Sequence, residues 1–299
     1  MTTDGAALEA PHAPKGEGFS DAVTIAFGDV ATDVYAIARI GLSGEDGSRV
    51  ASGLALVFAG GTPIAVQAEG GVAVRSDGWN GARAAGVSHQ IIEPLEQWKF
   101  AFKSEDGKTG FSVEVKALSD PAEMDAKGDA AKLGGMAGYE QLVRVTGDAT
   151  VSGKKRKIAA QGQRGHSWGA PDWEKLSVAK TVSAWLSDDT GVTVTSVRPA
   201  GEEGHGNEAA SAFLMQEGQA IAIDDPRLST TFDGEGRQRS AGLELYVGKG
   251  DDYPHRAAGE VICGTTLDLG RLRMDSAFLR WRMEGREGVG RYDVLTRVG

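Results

Sequence analysis

The sequence predicts an all-β chain, and three observations carry that prediction. Apolar residues fall in short runs that alternate with small or polar residues, the period of a strand with one buried face. Gly, Asp and Asn separate the runs, and 43 of the 299 residues are glycine. No heptad or long amphipathic helical period competes with this pattern. Roughly sixteen strand-length runs, with turns every ~8–12 residues, fit sandwiches or barrels better than βαβ units. Two antiparallel barrels of about eight strands each match the chain length.

Taken in order, residues 1–19 hold Gly, Ala, Pro and charge, with little to bury, and are expected to form a flexible N-terminal tail. Val23, Ile25 and Phe27 then alternate on one face, followed by residues 34–38 and by Leu54, Leu56 and Phe58. Val87, His89 and Ile91 share a face, as do Trp98, Phe100 and Phe102, and then Phe111, Val113 and Val115. Asp106-Gly107-Lys108 between the last two runs reads as a hairpin. Residues 119–138 break the rhythm and read as a long connection with one helical turn. Strands resume at 139–145. The basic run from Lys154 to Lys157 follows Ser152-Gly153 and reads as a hairpin projecting into water. The second half repeats the style at Val192 and Val194 and over 209–215, 243–247, 261–269, 276–283 and 289–298.

The formal charge is −10, with both signs interspersed. That suits a soluble protein and argues against a nucleic-acid partner, which needs a basic patch. Cys263 is the single cysteine, so no intramolecular disulfide forms, and its strand-like setting suits a small buried apolar group. No signal-peptide pattern and no membrane-span-length apolar run is present, so a cytoplasmic location is the expectation. The five histidines are scattered at 12, 89, 166, 205 and 255, and there is no H-x-H or C-x-x-C. No metal ligand set, and no cofactor of any kind, is expected from that spacing.

One segment concentrates chemistry. Residues 162–173 read Gly-Gln-Arg-Gly-His-Ser-Trp-Gly-Ala-Pro-Asp-Trp, in a chain with only five His and six Trp. On a strand, Arg164, His166 and Trp168 point one way and Gly165, Ser167 and Gly169 the other. Gly165 to Gly169 also fits G-x-S-x-G, but a nucleophile elbow needs a strand leading into a helix, and Pro171 in an all-β chain opposes a Ser167 hydrolase.

This segment resembles the His-x-Trp stretch of the tandem lipocalin-like family that includes carotenoid 1,2-hydratases, kievitone-type hydratases, AttH-like proteins and fungal Diels–Alderases. Ile92-Glu93-Pro94-Leu95-Glu96-Gln97-Trp98, Gly138-Tyr139-Glu140-Gln141 and Phe278-Leu279-Arg280-Trp281 with Glu287 to Tyr292 are similar to the same group. The resemblance covers the chain from about residue 20 onward. It implies two lipocalin-like (calycin) barrels, 20–160 and 161–299, with the His-Trp strand opening the second. It also implies an apolar cavity and cofactor-free chemistry on an isoprenoid, polyene or similar lipid-like substrate. In many relatives an Asp precedes the His; here that position is Gly165. The hydratases also use a Tyr and an Asp on a following strand, and 183–198 offers no matching pair.

On these residues, His166 would serve as acid or proton shuttle and Asp172 would orient or tune it. Trp168, Arg164, Trp173, Tyr139 and His89 would line the substrate site, with Trp168 able to stabilise a cation over its face. The reactions expected of such a site are hydration, isomerisation or cyclisation. A carrier that only sequesters a hydrophobic small molecule is the alternative. So is a purely architectural role, in which Arg164 or Arg280 stacks over Trp168 and closes a barrel end.

Overall fold

The computed structural model describes residues 5–44, 48–74, 78–202, 206–248, 250 and 253–298. The chain is all-β, built on two antiparallel sheets, and it divides into two compact units. One unit is Met1–Pro121 with Gly138–Ala170; the other is Ala122–Ala137 with Pro171–Gly299.

The first sheet contains β1 (Ser20–Asp29), β2 (Val34–Ser43), β3 (Val50–Ala59), β4 (Thr62–Ala73), β5 (Arg83–Ala84), β6 (Val87–Glu93), β7 (Gln97–Lys103) and β8 (Gly110–Ala117). Beyond the short strand β9 (Ala122–Glu123), β10 (Met136–Val151) and β11 (Lys154–Gly169) complete it. Its order is β4-β3-β2-β1-β11-β10-β8-β7-β6-β5. The sheet curls until β5 meets β3. A side chain at Gly53 on β3 would strike the Ala84 carbonyl at 2.2 Å, so only glycine lets β5 approach β3 this closely. Val23, Ile25 and Phe27, with Trp98, Phe100, Val113 and Val115, fill the interior.

β11 falls within the first unit. It pairs with β1 from Ser20↔Gly169 to Phe27↔Gly162, and so closes the first barrel instead of opening the second. The expected break near residue 160 therefore moves to Ala170. The turn at Ser152-Gly153 joins β10 to β11, and the basic run beyond it is the start of β11 itself. Arg156 there donates to the Thr32 carbonyl at 2.5 Å, and Lys157 pairs with Asp148 at 2.8 Å.

The N-terminal segment also departs from expectation. Instead of a loose tail, it carries helix α1 (Gly5–Glu9), which buries Leu8 and Glu9, and His12 is half-buried. Composition gave no sign of this, because the groups that hold the segment belong to strands far away in the chain.

The second sheet runs β15-β14-β13-β12-β20-β19-β18-β17-β16. Its strands are β12 (Leu176–Ser187), β13 (Thr190–Pro199), β14 (Ala209–Gln216), β15 (Gln219–Ala222), β16 (Asp225–Phe232), β17 (Gln238–Tyr246), β18 (His255–Asp268), β19 (Leu272–Met283) and β20 (Arg286–Arg297). Helix α2 (Asp129–Gly134) belongs to this unit, where Ala130 packs with Leu176 and Val197. Val182, Leu214, Leu243, Leu279 and Trp281 form the main apolar cluster. Among the described residues no helix is long and apolar enough to cross a membrane.

Candidate functional site

At one end of the first barrel the apolar interior gives way to a polar layer. The phase of each strand explains which side chains enter it. Asp21 lies two residues before Val23 on the inward face of β1, and Arg164, His166 and Trp168 alternate inward on β11. Arg164 and His166 are fully buried and Trp168 is half-buried.

Arg164 is the centre of one half of the layer. It donates to Glu9 Oε2 at 2.5 Å and to the Tyr139 hydroxyl, and its guanidinium sits 4.7 Å from the Trp98 ring centroid. The cation stacked on a Trp is therefore Arg164 on Trp98, not Arg164 or Arg280 on Trp168. The other oxygen of Glu9 accepts from Trp98 Nε1 at 2.9 Å and from the Leu95 amide at 3.2 Å. Trp79 Nε1 donates to the Glu9 carbonyl at 2.9 Å. A buried charge pair survives only with its remaining lone pairs satisfied, and Glu9 meets that condition. Burial pushes the Tyr139 hydroxyl up, against the pull of Arg164.

His166 anchors the other half. Its Nδ1 lies 2.8 Å from the Leu8 carbonyl and its Nε2 lies 2.6 Å from Asp21 Oδ1. Asp21 Oδ2 accepts from the His12 amide at 2.6 Å. Burial alone would raise the Asp21 carboxyl, but its contacts with His12 and His166 outweigh that and hold it below the usual carboxylate range. The Arg39 guanidinium on β2 donates to Ser20 Oγ at 3.3 Å and lies near enough to Asp21 for their charges to attract. The His12 ring stacks on Trp168, with centroids 3.7 Å apart and planes 12° apart.

His89 differs from both. It is buried on β6 opposite Phe100, with ring centroids 4.5 Å apart, and the Trp79 ring meets it edge to face with centroids 6.2 Å apart. Neither ring nitrogen has a hydrogen-bond partner among the described residues. Burial, with Arg164 and His166 adding positive charge nearby, holds this imidazole well below its ordinary value, so it is neutral near pH 7.

Asp172 and Trp173 belong to the second unit. Asp172 is an exposed turn residue of the second unit; it accepts from the Glu174 amide at 3.0 Å and pairs with Lys175 at 2.9 Å. Those contacts, Lys175 first, hold its carboxyl below the usual range, which suits a turn cap rather than a proton donor. Trp173 packs beside Leu176 and Val197, and its carbonyl accepts from Arg297 at 3.1 Å. His205 lies outside the described residues. His255 forms a partly exposed pair with Glu284 at 2.6 Å.

Sequence reasoning missed Glu9, His12, Asp21 and Trp79. Asp21 carried a readable signal, since it is an acid in phase with Val23, Ile25 and Phe27. Glu9 and His12 carried none. Two further buried groups sit in the second unit. Lys180 donates to Glu208 at 2.6 and 2.8 Å, and Ser196 donates to the same carboxylate at 2.8 Å. Burial raises the Asp293 carboxyl, which accepts from Ser276 Oγ at 2.6 Å. A groove of about 890 Å³ in that unit is lined by charged Arg237, Glu260 and Asp275 together with apolar Phe232, Val261 and Ala277.

Residues 5–298 match the family described as "Domain of unknown function (DUF7064)". The chain belongs to this family. No curated protein matches it. Among solved structures it is similar to CghA, with TM-score 0.63, 13% identity, and 94% of this chain and 89% of that one covered. CghA with Sch210972 matches at TM-score 0.60 and 12% identity over the same shares. Kievitone hydratase from Nectria haematococca matches at TM-score 0.58 and 10% identity, covering 97% of this chain and 94% of that one. These neighbours are tandem lipocalin-like proteins, and at such identities the likeness establishes the shared fold.

Proposed function

We propose that this protein is a cofactor-independent enzyme acting on a hydrophobic polyene- or terpenoid-like small molecule inside the first barrel. His89 meets the polar or reacting end of that molecule. The observation that carries this reading is the state of His89: inward, neutral and aromatic-walled, with an unused N–H and an unused lone pair. A buried polar group without a partner is costly, by roughly 1–3 kcal/mol, and a ligand that supplies one recovers that cost. Arg164 and His166, in contrast, already spend hydrogen bonds on Glu9, Tyr139, Leu8 and Asp21.

The chemistry follows from charge state. A neutral imidazole in an apolar site is a proton acceptor and a hydrogen-bond donor, not a strong acid. That favours a cyclisation templated by the barrel wall and steered by a His89 hydrogen bond over acid-initiated hydration, and the lowered basicity of the ring places isomerisation by proton abstraction and return second. Asp172 takes no part in this scheme. Trp79 and Phe100 wall the ring, and Arg164, Tyr139 and His166 hold the adjoining layer in place. The likeness to a kievitone hydratase supports an enzyme over a carrier.

All-trans-retinol is a suitable probe, a polyene with one hydroxyl whose fluorescence rises when it is buried. The wild-type chain should bind it, and His89→Phe, which keeps an aromatic ring and removes both nitrogens, should weaken binding about tenfold, or ~1.4 kcal/mol. Incubation with a hydrophobic cell extract should give products, seen by liquid chromatography and mass spectrometry, that His89→Phe does not form. Unchanged retinol affinity in His89→Phe would overturn the placement of the ligand. Binding without any product would leave the carrier reading in its place.

A further inference from the structure

We propose that His12 Nδ1, Asp21 and His166 Nε2 bind one divalent transition-metal ion of the zinc class, which fastens the N-terminal segment onto the first barrel. Spacing along the sequence gave no hint of this, because His12 and His166 are 154 positions apart by their numbering. Folding brings one ligand atom from each of the three residues within 4.8 Å of the other two. Two imidazole nitrogens and one carboxylate oxygen form a donor set that zinc accepts readily, leaving a fourth position for water.

Four features of the cluster are those of a built site. First, His166 Nδ1 faces the Leu8 carbonyl at 2.8 Å, the second contact that fixes the tautomer of a metal-bound imidazole and aims Nε2 at the ion. Second, Nε2 faces the carboxylate at only 2.6 Å. With Nδ1 donating to a carbonyl, positive charge must lie between Nε2 and Asp21, and either a proton or a metal ion supplies it. Third, Asp21 Oδ2 is pinned by the His12 amide, so the carboxylate is oriented before any ion arrives. Fourth, His12 Nδ1 is buried 3.6 Å from Asp21 Oδ2, with no closer hydrogen-bond partner among the described residues. Its ring is held there by the stack on Trp168.

The separations are compatible with an ion. Two ligands at zinc distances and a tetrahedral angle lie about 3.3 Å apart, close to the His12–Asp21 spacing. Admitting the ion requires the His166–Asp21 contact to open by roughly 0.7 Å. The ion's role here is to hold the N-terminal segment over the polar layer, and the proposed chemistry at His89 does not depend on it.

The full-length chain, stripped of metal by chelator, is titrated with Co²⁺ and separately with Zn²⁺. The expected result is one equivalent bound, intense visible d–d bands from four-coordinate Co²⁺, and a melting temperature raised by several degrees with Zn²⁺. His12→Ala should abolish both signals while remaining folded, because His12 is partly exposed. It should still bind retinol, which separates this outcome from failure of the His89 reading. Absence of Co²⁺ bands together with no Zn²⁺ shift in the wild type would overturn the proposal. Metal binding in His12→Ala and Asp21→Asn equal to that of the wild type would overturn it as well.

Discussion

Both units bury ion-paired networks among apolar residues, yet the two networks are built differently. In the first barrel, Arg164 reaches Glu9 and His166 reaches Asp21 across 155 and 145 positions of chain. The setting is aromatic, with Trp98, Tyr139, Trp79 and Trp168 in ring contact. In the second unit, Lys180, Ser196 and Glu208 come from neighbouring stretches of chain, 28 positions apart at most. Val178 and Val182 flank Lys180 on its own strand, in a cluster that also holds Trp281 and Tyr292. The first network closes a barrel end and depends on the N-terminal segment. The second follows from ordinary pairing of adjacent strands. A polar cluster that needs a remote segment to satisfy it is the better place to look for function or closure.

The largest expected effect comes from breaking each pair. Arg164→Met strands the Glu9 carboxylate and the Tyr139 hydroxyl in a dry layer and should cost about 3–5 kcal/mol in urea unfolding. Lys180→Met leaves Glu208 with its Ser196 hydrogen bond and with Arg198 at 3.9 Å, and should cost about 1–2 kcal/mol. Equal losses would erase the distinction between the two networks.

Acid titration sharpens the contrast by sign. Asp21 is depressed when folded, so its contribution is present above the unfolded value near 3.9 and disappears as pH falls through the folded value. Asp293 is raised by burial, so its contribution is present below about pH 3.9 and disappears as pH rises through the folded value. Melting temperatures across about pH 3–7 should therefore show a shallower acid limb in Asp21→Asn. Asp293→Asn should gain on the wild type as pH rises from about 4. The same direction of change in both variants would contradict the assignment of opposite environments.

A smaller effect is expected at Gly165. A Cβ there would lie 2.3 Å from a Glu140 carboxylate oxygen, the far end of a flexible side chain. Gly165→Ala should cost less than about 1 kcal/mol because Glu140 can move, while Gly165→Asp adds a like charge and should cost about 1–3 kcal/mol. Glu140→Gln should recover part of the Asp loss, measurable as a double-mutant cycle. Additive losses would show that the two positions do not meet.

Much of the fold was legible because it depends on local alternation. Val23, Ile25 and Phe27 on β1 and Trp98, Phe100 and Phe102 on β7 declare their inward face by period alone. The same period placed Arg164, His166 and Trp168 on one face of β11. The domain boundary was not legible, because the strand that closes the first barrel pairs with β1 some 140 positions earlier in the numbering. Asp172 was misleading for a related reason. It is near His166 in sequence, but Gly169-Ala170-Pro171 ends the strand and carries it into a turn of the other unit. Glu9 and His12 sit in a stretch whose composition promises little burial, and only the completed barrel provides the arginine, indoles and carboxylate that hold them.

Histidine ring ¹⁵N NMR, with His89 assigned through His89→Phe, tests the proposed site most directly. His89 is expected to be neutral near pH 7 and to protonate only well below its ordinary value, and its ring shifts should change when retinol is added. A His89 ring that protonates near the ordinary value of about 6.5, or that is unmoved by bound retinol, would contradict this role.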